Sequence, residues 1–97
     1  MTLSPAQIKY LKGLAHHRKP VVQLGQAGLS AAVLREIEIA LNAHELLKIR
    51  MPAVEREQRE ALFTRICRHT GAAPVQHIGR MVILYRATKK PKIQLPA

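Results

Sequence analysis

A chain of 97 residues with 47% hydrophobic content suits one domain around a modest core, and disorder is not its default reading. Sixteen Lys and Arg face six acids, every one a Glu, for a formal net charge of +10 and a pI near 10.7; such a field favours a polyanionic partner, because each neutralised phosphate releases condensed counterions. Membrane association does not explain the charge, since no stretch nears the ~20 apolar residues of a span and no basic helix carries an interfacial Trp/Phe/Leu face.

Met1 to Pro5 has no basic region followed by an apolar one, so no secretory signal is expected. Ser4-Pro5 starts a first helix, with Ser as N-cap and Pro at the first helical position. Ile8, Leu11, Leu14 and Ala15 recur at helical spacing, and the helix is expected to end near Ala15, ahead of His16-His17-Arg18-Lys19-Pro20. Val21 to Leu24 reads as a short strand. After Gly25-Gln26-Ala27-Gly28, Ser30 caps a second helix with the stripe Val33, Leu34, Ile37, Ala40 and Leu41, running to about Ala43.

Leu47-Lys48-Ile49-Arg50-Met51 alternates strictly, predicting a half-buried strand with a cationic second face, closed by Pro52. A third helix is expected from about Val54 to Thr70, with Glu55, Glu57 and Glu60 near its start and Arg65, Arg68 and His69 near its end, as the helix dipole favours. Gly71 stops it. Val75–Ile78 and Met81–Arg86 form two strands around Gly79-Arg80, a two-residue turn with Gly first. The remainder, Ala87 to Ala97, is a basic tail. The order α-β-α-β-α-β-β predicts a single compact α/β (α+β) domain: a parallel βαβ unit plus an antiparallel hairpin, hence a mixed sheet.

Gly25-Gln26-Ala27-Gly28, between a strand and a helix, is the most informative local feature. Glycines at both ends permit unusual backbone angles and remove side chains that would hold a partner away, and the next helix offers its N-terminal dipole to an anion. Lys9 and Lys12, then His16, His17, Arg18 and Lys19, precede it; Lys48 and Arg50 follow on the second strand, and Lys89, Lys90 and Lys92 in the tail. If the first helix packs against the sheet edge, several of these cations surround the glycine turn. Otherwise they are scattered solvated charges.

Leu11-Lys12-Gly13-Leu14-Ala15-His16, Lys19-Pro20-Val21-Val22, Leu24-Gly25 with Gly28-Leu29, Glu36-Ile37-Glu38 with Ala40-Leu41, His44-Glu45-Leu46 with Lys48, Thr70-Gly71-Ala72, Ile78-Gly79, Val82 to Arg86 and Thr88-Lys89 follow one another along almost the entire chain. That ordered set resembles the YhbY-like family, whose fold unit is the CRM domain (chloroplast RNA splicing and ribosome maturation). The resemblance implies a mixed four-stranded sheet with three helices, similar to the C-terminal domain of bacterial translation initiation factor three. It also implies an RNA-binding module, associated in stand-alone bacterial members with precursors of the large ribosomal subunit, whose G-x-x-G turn falls on Gly25 and Gly28. Two departures stand out: in KH modules the comparable loop joins two helices, whereas here it joins strand to helix, and Gln26 and Ala27 are uncharged.

Other chemistries are poorly supplied. Tyr10, Phe63 and Tyr85 are the only aromatics, so recognition by stacked rings is not expected; Phe63 is placed in the core with Ile66 and Cys67, and Tyr85 at the core edge. The single Cys67 excludes an internal disulfide and suits a reducing compartment, taken as the cytoplasm. Neither the five His nor Cys67 has zinc-like spacing, and with no Asp there is no Ser-His-acid set, so no metal, cofactor, small-molecule substrate or enzymatic activity is expected.

The site expected from sequence is therefore RNA-binding: Gly25, Gln26, Ala27 and Gly28 for close backbone approach; Lys12, His16, Arg18, Lys19, Lys48 and Arg50 for phosphates; Lys89, Lys90 and Lys92 as an auxiliary tail. The partner would be ribosomal RNA or a large-subunit precursor. A ribosome-associated adaptor, pairing its sheet edge with a protein strand, is the alternative from another class. Composition alone would also allow DNA packaging.

Overall fold

The computed structural model describes residues 2–97. Ser4 opens α1 (Pro5–His16) through a reciprocal cap: Gln7 N donates to Ser4 Oγ at 3.1 Å, and Ser4 N donates to Gln7 Oε1 at 3.0 Å. β1 (Val22–Gln23) is short, but Val21 N donates to Lys48 O and Leu24 N to Arg50 O, so its pairing extends one residue either way. Ser30 Oγ accepts Val33 N at the start of α2 (Ala31–His44). Then come β2 (Leu46–Arg50), α3 (Arg56–Thr70), β3 (Ala73–Ile78) and β4 (Met81–Tyr85).

The strands form one sheet in the order β1-β2-β4-β3, with β1 parallel to β2 and the other pairs antiparallel. The expected mixed sheet with three helices is the observed one. Both of its faces are covered. On one, Leu47, Ile49, Val82 and Leu84 pack with Ile37, Leu41 and Ile66 of α2 and α3. On the other, Leu46, Ile83, Tyr85 and Val75 pack with Leu11 and Ala15 of α1. This moves the start of β2 back to Leu46, which α1 buries as completely as α2 and α3 bury Leu47. α1 therefore lies across the face of β2, β4 and β3 and not against the sheet edge, so the condition for its cations to surround the glycine turn is not met.

Other element ends shift for local reasons. Glu55 is the N-cap of α3, its N–H donating to Gln58 Oε1 at 3.1 Å, so the helix begins two residues after Val54. Gly71 closes it at φ 72°. β3 starts before Pro74, which an outer strand tolerates because one row of its backbone groups is unpaired; the ladder shifts register between Pro74 and Gln76. Gly79 turns the hairpin at φ 55°.

The segment after Arg86 is a correction to the expected basic tail. It is folded back and held by Glu45, the buried C-cap of α2 and, among the described residues, the one non-glycine residue with a positive φ, 65°. The Glu45 carboxylate accepts Thr88 N and Thr88 Oγ1, both at 2.7 Å, with Lys92 N at 2.8 Å and Ile93 N at 2.9 Å. Ile93 and Leu95 then pack under α1 beside Leu3 and Ile8. Burial works against ionising Glu45, but these donors outweigh it and hold the carboxyl at about 2, against 4.5 for an ordinary glutamate.

Candidate nucleic-acid interface

Gly28 N donates to Gly25 O at 3.0 Å, closing Gly25-Gln26-Ala27-Gly28 into a tight turn at the end of β1. The two glycines differ. Gly28 is left-handed at φ 78°, and a Cβ there would come within 3.9 Å of Leu62. Gly25 is outside the left-handed region with nothing within 4 Å of its missing Cβ, so neither its backbone angles nor the fold's own packing require a glycine. The expectation that both glycines serve unusual angles holds for Gly28 alone. Gly25, Gln26 and Ala27 are exposed. Gln26 and Gly28 also wall a cleft of about 320 Å³ with Pro52, Val54, Gln58, Leu62 and Arg65.

The cations do not ring this turn. They run towards it in a line. Arg50 is in register with Gln23 and so is the nearest strand cation to the turn, and Lys48 sits one side-chain repeat back. Arg18 and Lys19 stand before β1, roughly 20 Å from Gly25 at strand rise. Lys48 Nζ donates to Arg18 O at 2.8 Å, and Arg18 Nη1 donates to Leu46 O at 3.1 Å, fixing both to backbone carbonyls. Lys12 and His16 reach over the sheet face from α1, lining a groove of about 290 Å³ with Lys48, Gln76, Ile78 and Met81. Lys92 joins Arg18 and Lys19 at the far end, where Lys89 and Lys90 are exposed on the folded-back segment.

The line stays positive because, apart from Glu45 buried under its Lys92 end, the acids are elsewhere. No Glu occurs before Glu36 or after Glu60, and no carboxylate lines the two grooves or the turn cleft. The ion pairs among the described residues, Arg56–Glu60 and Arg86–Glu38, do not involve it. Glu45 is the acid closest in sequence to β2, and its oxygens are occupied by the folded-back segment. Val21, His44, Arg65 and Ile93 belong to the same surface and were not singled out from sequence. His44 and Ile93 are carried there by Glu45, whose role composition does not reveal.

Two residues with tempting chemistry are set aside by burial. Tyr85 is 1% exposed, deeper than the core edge expected for it, and has no face to offer a base. Partial burial pushes the Cys67 thiol up to about 11, so it stays protonated at neutral pH.

Residues 3–86 match the CRS1 / YhbY (CRM) domain. The chain belongs to the CRM-domain family. A protein of Haemophilus influenzae named as an RNA-binding protein is 52% identical over 95 residues, covering 98% of this chain and 96% of its own length. A probable RNA-binding protein of Pseudomonas aeruginosa is 41% identical over 95 residues, covering 98% and 91%. The fold agrees with a solution structure from Staphylococcus aureus of a hypothetical protein proposed to bind RNA: TM-score 0.86 at 30% identity, over 98% of this chain and 100% of that one. The Gly25–Gly28 turn and the cations up to Arg86 lie within the matched CRM residues, and the folded-back segment lies beyond them.

Proposed function

We propose that this CRM-domain protein binds RNA, and that the RNA is ribosomal, met by the protein in the cytoplasm on precursors of the large subunit. The phosphate backbone would lie along Arg18, Lys19, Lys48 and Arg50 and reach the turn at Gly25. Lys12 and His16 flank that path on one side and Lys92 on the other. The observation that carries the reading is Gly25: an exposed glycine that the fold does not need, at the end of a row of cations where no carboxylate lines the cleft or the groove beside it. A backbone free of side chains admits a phosphate chain closely. The names of the relatives support RNA as the polyanion, and the family resemblance supports the ribosomal precursor.

Ultraviolet crosslinking in cells, with sequencing of the attached RNA, tests it. Large-subunit ribosomal RNA should dominate the recovered fragments. Recovery of proteins without RNA would favour the adaptor reading and contradict this one, and a spread over messenger RNAs would contradict the ribosomal part.

A further inference from the structure

At the end of the row away from the glycine turn is a concavity of about 640 Å³, within the ~300–1,000 Å³ usual for small-ligand sites. Arg18, Lys19, His44, Lys48 and Lys92 line it, and Val21 and Ile93 give it apolar walls. Its cations are fixed but uncompensated: Lys48 Nζ rests on Arg18 O, Arg18 Nη1 on Leu46 O and Lys92 Nζ on Ala43 O, all carbonyls that leave the positive charge intact. The Lys92 and Ile93 wall is itself held by two hydrogen bonds to buried Glu45. Val21 is 55% exposed here, so its methyl groups are open to whatever enters the concavity.

From this geometry we infer that the concavity is a pocket for one unpaired nucleotide of a bound RNA strand. It rests on the RNA-binding reading and adds to it a site for a base, where the row alone would hold only phosphates. The base enters between Val21 and Ile93, and Arg18, which lines the same concavity, supplies a guanidinium for stacking that needs no aromatic residue. The flanking phosphates meet Lys19, Lys48 and Lys92. A duplex keeps its bases stacked inward and could not fill the apolar part, so the pocket selects single-stranded or bulged RNA. The apolar walls distinguish it from a site for charge alone.

Methyl NMR of the full chain with a short single-stranded uridine oligomer, inorganic polyphosphate and an oligoglutamate peptide tests the pocket. The oligomer should shift the Val21 and Ile93 methyl signals by ring current, and polyphosphate, which has no base, should leave them in place. Val21→Glu should weaken the oligomer about tenfold, the scale of one charge-assisted contact, with the rest of the spectrum unchanged. If the oligomer binds and Gly25→Glu weakens it, but the methyl signals stay put and Val21→Glu binds as tightly as the native chain, the pocket is wrong and RNA binding stands. Oligoglutamate shifting those methyls as strongly as the oligomer would also overturn the pocket. Failure of the native chain to bind any RNA would overturn both readings.

Discussion

Gly25 and Gly28 are three residues apart and answer to different constraints. Gly28 holds a left-handed backbone that costs an L-residue ~1–2 kcal/mol, so Gly28→Ala should lower unfolding free energy by about 1 kcal/mol in a denaturant titration. Gly25 carries no such cost, and substitution there should leave stability alone. Glu45 is the third residue of consequence. Its carboxyl is held at about 2, well below an ordinary glutamate. A depressed acid contributes stability that is complete above its unfolded value of 4.5 and is lost as pH falls through the folded one. Acid titration should therefore loosen the native chain between about pH 4.5 and 2, and Glu45→Gln should flatten that limb; an unchanged limb in the variant would remove Glu45 as its cause.

Among the elements, the helices were the most legible, because their caps are local. Ser4-Pro5, Ser30 and Gly71 each announce a boundary within a residue or two of where it falls. β2 was read one residue late, since alternation assumes one solvated face and here α1 buries Leu46 on the second. The site was legible as a list of residues and not as an arrangement. Arg50 is near the turn because β1 and β2 pair in parallel, and Lys92 is far from it because Glu45 fastens the last residues beside His44. Neither follows from local sequence: a basic segment with two prolines reads as solvated until its acceptor is known. Glu45→Ala should release that segment. Thr88, Lys92 and Ile93 amides would lose their hydrogen-exchange protection, and stability should fall by about 2–4 kcal/mol, the scale of buried donors losing a charged partner. Retained protection at those three amides would show that Ile93 and Leu95 packing suffices.

At the scale of the whole molecule, the net charge is less informative than its placement. A charge of +10 would attract any polyanion. The acids, however, gather on α2 and the start of α3, and the row from Lys92 to Arg50 has beside it only Glu45, buried under its Lys92 end. Five phosphates along that row would give a slope of about −3.5 in log affinity against log salt, at ~0.7 per single-strand phosphate. Lys48→Ala should reduce the slope by roughly 0.7, and a flat salt response would mean the row is not the contact surface.

RNA closing onto the bare backbone at Gly25 is tested by the affinity of native and Gly25→Glu protein for the same single-stranded ribosomal RNA fragment. The variant should bind about tenfold more weakly, ~1.4 kcal/mol, with thermal stability unchanged. Equal affinity in a folded Gly25→Glu protein would contradict it.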